Sequence, residues 1–251
     1  MVGSPATTKA KSASTRAFGI TIAVPGGLLL LAAAAWWWSV RMSHQDMSAM
    51  AFATFALAWS AMMAAMMFPA ILPVVRLYGL AVAHGRAAPL PFFVSGYLIV
   101  WTAVGIPAYF ASQALMMPLM DARPWAARLA GGVLVAAAVW QVTPIKNVCL
   151  RHCRTPLGFF MRLSNGVNTP LAAIRAGVLH GSICIGCCWA LMAVLVALGT
   201  MNIAWMAGLA GLILVEKNAP NGEAIAHGVG AIFAALGLVL ILHPASISTV
   251  I

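Results

Sequence analysis

The chain has 251 residues, of which 63% are hydrophobic and only 7% are charged, and its mean hydropathy is +0.98. Soluble domains carry about 25% charged residues, so this composition excludes an ordinary soluble protein and indicates a membrane protein. The net charge is +10, but the basic residues are sparse and lie between apolar runs, which argues against nucleic-acid binding.

Residues 1–17 are small, polar and basic, and they predict a disordered cytoplasmic tail. Residues 18–251 are predicted to form one all-α domain, a polytopic bundle of about seven transmembrane helices. The helices are expected where apolar runs approach the roughly 20 residues that cross a bilayer. These runs are residues 18–38, 52–75, 91–115, 126–145, 174–198, 202–216 and 225–243.

The distribution of lysine and arginine predicts the orientation of this bundle. With the N-terminus inside, the outer side holds only Arg41, Arg123 and Arg128. The inner side then holds the remaining basic residues, which are Lys9, Lys11, Arg16, Arg76, Arg86, Lys146, Arg151, Arg154, Arg162, Arg175 and Lys217. Because basic loops stay in the cytoplasm, this bias predicts an N-in, C-out protein of the bacterial inner membrane.

The segment HGSICIGCCWALM places one histidine and three cysteines inside an apolar run. On a helix, His180, Cys184 and Cys187 share one face, and Cys188 lies at its edge. Thiolates and imidazoles are ligands for Cu(I) and Zn(II), and polar groups at membrane depth are costly unless they are used. We therefore predict a metal or thiol site here, in preference to simple packing of small apolar cysteines.

A second candidate is CLRHC, in which Cys149 and Cys153 are four residues apart and His152 lies between them. Neighbouring positive charge favours the thiolate, which is both a metal ligand and a nucleophile. A pair of reduced, unreactive thiols at the membrane interface explains the pattern equally well.

Four methionines and one charged pair complete the candidates. Met62 and Met66 share one helix face, as do Met63 and Met67, and thioethers bind Cu(I) softly, although methionine also packs helix interfaces. Glu216 and Lys217 are expected to pair with each other or with a neighbouring helix. The alternative for Glu216 is a proton carrier or an oxygen ligand.

Three strings in this chain resemble a bacterial family of predicted metal-binding integral membrane proteins, domain of unknown function 2182. They are AWSAMMAAMMFPA, QVTPIKNVCLRHCRTPLGFF and HGSICIGCCWALMAVLVALGTMNIAWMAGLAGLILVEKNAPNGE, and the resemblance spans residues 51–230. It implies metal binding without a defined reaction. The positions that it marks are Met62, Met63, Met66, Met67, Cys149, Cys153, His180, Cys184, Cys187, Cys188, Glu216 and Lys217.

The sequence favours a non-enzymatic membrane protein that handles copper, because methionines accompany the cysteines and histidines, whereas zinc suits the cysteines and histidines alone. The expected partners are the lipid bilayer, the metal ion, and a metallochaperone or membrane protein, without nucleic acid. One alternative is a membrane thiol–disulfide oxidoreductase, although adjacent helical cysteines make a strained disulfide. The other is an assembly factor or accessory subunit of a metalloenzyme.

Overall fold

The computed structural model describes residues 5–42, 51–85, 87–155, 167–199 and 202–247. Within these ranges the chain forms nine α-helices, a short 3-10 helix at Pro244–Ser246 and no strand. The helices are α1 (Pro5–Met42), α2 (Phe52–Ala70), α3 (Leu72–Ala83), α4 (Leu90–Met120), α5 (Pro124–Gln141), α6 (Pro144–Arg154), α7 (Pro170–Leu198), α8 (Ile203–Asn218) and α9 (Gly222–Leu242). The predicted all-α bundle is confirmed.

In the part of the chain that the structure describes, five helices are long and apolar enough to cross a membrane: α1 from Ala23 onward, α2, α4, α7 and α9. Helices α5 and α6 together pass the same test but are bent by 67°, which gives up to six spans against the predicted number of about seven. The predicted span at residues 202–216 corresponds to α8, whose 16 residues are shorter than the roughly 20 that a crossing needs. The orientation of the bundle stays a prediction.

Prolines divide two of the predicted spans. The run at residues 52–75 breaks at Ile71, because Pro73 lies in the first turn of α3 and its ring does not fit the interior of a longer helix. The run at residues 126–145 ends at Gln141, and α6 then begins at Pro144. The Thr143 hydroxyl accepts a bond from the Lys146 amide at 3.3 Å, which caps the new helix.

Helix α1 begins at Pro5, well before the predicted start at residue 18. The backbone of residues 5–17 is therefore helical, in contrast to the disordered tail expected from its composition. The cytoplasmic location of this segment stays a prediction.

Helices α4 and α7 pack with their backbones in contact. A Cβ atom on Gly177 would overlap the Phe93 carbonyl oxygen and lie 2.9 Å from the Tyr97 amide nitrogen. A Cβ atom on Gly96 would overlap the Ile174 carbonyl oxygen in the same way. Small residues allow such close approach between membrane helices, so these glycines set the distance between α4 and α7.

The buried side chains form two clusters. The main core runs through the bundle and includes the α2 methionines and the α7 cysteines. The small core is built from α3, the first turn of α4 and the residues that begin α7, and it consists of Val74, Tyr78, Ala88, Phe93, Val167, Ala173 and Ala176. The Tyr78 hydroxyl donates to the Ala88 carbonyl at 2.9 Å, and burial raises the pKa of Tyr78 to about 12.

Candidate metal centre

Three cysteines of α7 bring their sulfur atoms together inside the bundle. Cys184, Cys187 and Cys188 are each at most 2% exposed, and their Sγ atoms all lie within 4.8 Å of one another. The Sγ atoms of Cys187 and Cys188 are 3.3 Å apart. The structure therefore brings together Cys184 and Cys187, which the sequence placed on one helix face, and Cys188, which it placed at the edge of that face. Their role as ligands stays a prediction.

A fourth sulfur joins this group from α6. The Cys153 Sγ lies 3.7 Å from the Cys187 Sγ, although the two residues belong to different helices. We call Cys153, Cys184, Cys187 and Cys188 the sulfur cluster. Four soft ligand atoms at this spacing can hold one or more soft metal ions.

The second candidate site of the sequence analysis does not form as a separate unit. Cys149 is half-buried and packs against α7, where a Cβ atom on Gly186 would lie 2.8 Å from the Cys149 Sγ. His152 is exposed and its Nδ1 lies 2.8 Å from the Val148 carbonyl oxygen of its own helix. The reason is helical geometry: Cys149 and Cys153 face α7, whereas His152 lies about 100° from Cys153 towards solvent.

Cys184 has two polar contacts from other helices. The Lys217 Nζ donates to the Cys184 Sγ at 2.8 Å, and the Tyr97 hydroxyl lies 3.1 Å from the same sulfur. Lys217 is 5% exposed and Tyr97 is fully buried. Tyr97 was missed by sequence reasoning because it lies in an unremarkable apolar run, and only the fold brings it to α7.

His180 lies one turn before Cys184 on α7 and is buried. Its ring sits beside those of Phe93 and Tyr97, each with a centroid separation of 6.0 Å. Within the described chain, the compact group of ligand atoms consists of the three α7 cysteines and does not include His180. A ligand role for His180 stays a prediction.

Glu216 and Lys217 do not pair with each other. The Lys146 Nζ donates to one Glu216 carboxylate oxygen at 2.7 Å, and the Gln141 amide donates to the other at 2.9 Å. Lys146 was expected among the basic loop residues of the inner side, but it lies in a helix and not in a loop, whereas its side of the membrane stays a prediction. Lys146 is fully buried in the first turns of α6, on the same face as Cys153, where it neutralises a buried carboxylate.

Two arginines fasten the end of α6 to the turn between α8 and α9. Arg151 forms a bidentate ion pair with Glu223, in which its Nε and Nη2 donate to the two carboxylate oxygens at 2.7 and 3.2 Å. Arg154 donates to the carbonyl oxygens of Ala219 and Pro220. These contacts hold the helix that carries Cys153 against the helix that carries Lys217.

The four methionines of α2 are all buried, with at most 1% of each exposed. They are Met62, Met63, Met66 and Met67, and they belong to the same continuous core as the sulfur cluster. Burial on both faces follows from the position of α2, which packs against α1, α4 and α8. An ion path along these thioethers stays a prediction.

Several helices are long and apolar enough to cross a membrane, and they surround a buried group of thiols. These two features define the class of the protein. It is a helical bundle that is compatible with a multi-pass membrane protein and that carries a candidate soft-metal centre. A family model described as PpoB2, copper chaperone, matches residues 56–240. The match covers more than half of the chain, and the protein belongs to this family. This family match supports the metal-binding character that the resemblance to domain of unknown function 2182 implied. The description of the matched family differs from that name. Comparisons with curated proteins and with solved structures found no match.

Proposed function

We propose that this protein binds copper as Cu(I) in the bacterial inner membrane and delivers it to another protein. The observation that carries the proposal is the group of buried thiols, whose sulfurs lie within 4.8 Å in a member of a copper chaperone family. Sulfur ligands prefer soft monovalent copper over hard ions that need oxygen ligands. Zinc remains the competing metal, since cysteine ligands also bind it.

Copper is the cargo in this proposal and no reaction is catalysed. Two thiolates bind the ion, Cys184 together with either Cys187 or Cys188, and Cys153 offers a further sulfur from α6 for exchange. The buried methionines of α2 offer weaker, exchangeable ligands, which suits transfer. Cys149 and His152, nearer the surface of α6, are proposed to serve entry or exit.

The partner is a protein that receives copper, either a second metallochaperone or a membrane-associated metalloenzyme under assembly. The description of the family as copper chaperones supports delivery over a purely structural ion. We also propose that the resemblance to domain of unknown function 2182 and the copper chaperone match concern one group of proteins, because residues 51–230 and 56–240 largely coincide.

The test is elemental analysis of the detergent-purified protein after anaerobic loading with Cu(I), compared with the Cys184→Ser/Cys187→Ser variant. We expect stoichiometric copper in the wild type and its loss in the double variant. A Cys149→Ser variant, which changes a thiol outside the sulfur cluster, is the matched control and should retain copper. Equal copper in the wild type and the double variant would exclude this site.

A thiol–disulfide function is the second candidate, because the Cys153 and Cys187 sulfurs lie 3.7 Å apart on different helices. A disulfide between them avoids the strain of an adjacent pair, but it requires an external two-electron acceptor. Thiol trapping decides between the two candidates. A wild type that cannot be loaded with metal, and whose thiol count changes with the redox state of the cell, favours this second function.

The Tyr97→Phe variant tests the contact between the phenol and Cys184. We expect Cu(I) affinity to fall by roughly fivefold, because one hydrogen bond to a ligand sulfur contributes about 1 kcal/mol. Competition with a Cu(I) chelator measures the change. Tyr78→Phe, which removes a buried hydroxyl in the small core, is the control and should leave affinity unchanged. An unaltered affinity in Tyr97→Phe would show that the phenol does not support the ligand.

A further inference from the structure

The chain contains few negative charges, and each one that the structure describes has a cation nearby. The four acidic residues of the sequence are Asp46, Asp121, Glu216 and Glu223. Glu216 pairs with Lys146, Glu223 with Arg151, and Asp121 lies on the surface 3.8 Å from Arg123. Asp46 lies outside the described residues. Each described carboxylate is therefore matched to a cation other than Lys217.

Lys217 is a buried cation that contacts sulfur. Within the described ranges no carboxylate lies within 4.0 Å of its ammonium group, and its Nζ is 2.8 Å from the Cys184 Sγ. The neighbouring pair of Lys146 and Glu216 is neutral as a unit and adds no net charge. Among the described residues, Lys217 is thus the buried cation that contacts the sulfur cluster and has no carboxylate partner.

We propose that Lys217 is the counter-ion of the loaded site, fixing the charge of the metal–thiolate complex at minus one. This inference rests on the proposed copper binding. Cu(I) held by two thiolates has a charge of minus one, and Lys217 makes the sum zero. An uncompensated charge is costly in a buried environment, so removing Lys217 disfavours the two-thiolate complex.

The local structure fixes Lys217 in this position. Its Nζ lies 2.8 Å from the Cys184 Sγ, and Arg154 binds two backbone carbonyl oxygens of the turn that follows α8. An ammonium group has no lone pair and cannot itself ligate a metal. Lys217 therefore acts through Cys184 as a positioning residue, by charge and by its hydrogen bond.

Chelator competition with Cu(I) alone tests the proposal in the full-length, detergent-purified protein. Lys217→Met removes the charge and the donor, Lys217→Gln keeps a donor without the charge, and Lys217→Arg keeps both. We expect both neutral variants to bind Cu(I) at least about tenfold more weakly, equivalent to about 1.4 kcal/mol, and Lys217→Arg to stay within about threefold of the wild type.

The matched control is Lys146→Met/Glu216→Gln, which removes a buried lysine one contact away without changing the net charge. It should keep Cu(I) affinity within about threefold, because neutral pairs contribute little to the field at the cluster. X-ray absorption gives a second readout. We expect two sulfur ligands per Cu(I) in the wild type and in Lys217→Arg, and fewer in the neutral variants.

Wild-type affinity and two sulfur ligands in Lys217→Gln would overturn the proposal, because the donor and not the charge would then be sufficient. Weak binding in Lys217→Arg together with a normal helical spectrum would also overturn it. A wild type that binds no Cu(I) would instead refute the proposed function itself. Size-exclusion elution in detergent shows which variants are folded. If Lys217→Met is not folded, Lys217→Gln is the neutral variant that tests the proposal.

Discussion

Replacing Lys146 with methionine is expected to lower the free energy of unfolding by about 3–5 kcal/mol, since it leaves a buried carboxylate without its counter-charge. Lys146 is fully buried, and its Nζ lies 2.7 Å from Glu216, which is 2% exposed. Gln141 alone remains as a donor to that carboxylate. Thermal or denaturant unfolding in detergent micelles, followed by tryptophan fluorescence, measures the loss.

Two further variants test whether the loss of stability in Lys146→Met comes from the buried ion pair. Arg151→Met breaks an ion pair on an exposed arginine and should have little effect on the free energy of unfolding, because water and salt screen such a pair. Lys146→Met/Glu216→Gln removes both charges of the buried pair and should recover most of the stability lost in the single variant, because the amide introduced at position 216 still accepts from Gln141. If Lys146→Met is no less stable than Arg151→Met, the buried pair does not stabilise the fold.

The second large effect is expected for Gly177→Ala. The added methyl group would overlap the Phe93 carbonyl oxygen, and backbone atoms cannot rotate away as a side chain can. Helices α4 and α7 must then separate, which we expect to cost about 3 kcal/mol, at the upper end of the usual range for overpacking. The same movement draws Tyr97 away from Cys184, so Cu(I) affinity should fall together with stability.

Gly208→Ala is the matched control for this substitution. Gly208 also lies inside a helix, but a Cβ atom there meets nothing within 4 Å. We expect no loss of stability, because alanine is the better helix former. Unfolding midpoints in the same detergent compare the two variants. A Gly177→Ala protein as stable as Gly208→Ala would show that the two helices are not held at contact distance by this glycine.

Local sequence patterns were sufficient to predict much of the fold and part of the candidate metal site. Apart from α1, which begins well before its predicted start, the apolar runs located the long helices to within a few residues. Helix α7, for example, was expected at residues 174–198 and covers Pro170–Leu198. The grouping of Cys184 and Cys187 followed from helical periodicity alone. Cys153 was recognised as a candidate, but its distance of 3.7 Å from Cys187 depends on how α6 folds back against α7.

The features that could not be predicted arise from contacts between distant parts of the chain. Tyr97 meets Cys184 only because glycines let α4 and α7 touch, and a single tyrosine in an apolar run carries no local signal. Lys146 was assigned to a loop because lysine normally avoids a hydrophobic interior. Its partner Glu216 lies 70 residues further along the chain, so the neutralisation of both charges is visible only in three dimensions.

The ends of several helices meet at the level of the sulfur cluster. Helices α5 and α6 join beside Glu216, and α8 ends one residue after Lys217, at a turn that Arg154 binds. Turns between helices leave backbone groups that hydrocarbon cannot satisfy, so they belong near a membrane face or inside protein. In the proposed membrane setting, this puts the cluster close to one face of the bilayer and away from its midplane.

Helix α7 continues past that level towards Pro170 for about 21 Å, since a helix rises 1.5 Å per residue over residues 170–183. The first turns of α4 and the small core accompany it there. In the proposed membrane setting, the protein thus extends beyond the bilayer on the side nearest its thiols. A membrane-impermeant Cu(I) chelator should therefore withdraw the ion faster from this side than from the side where α7 ends at Leu198.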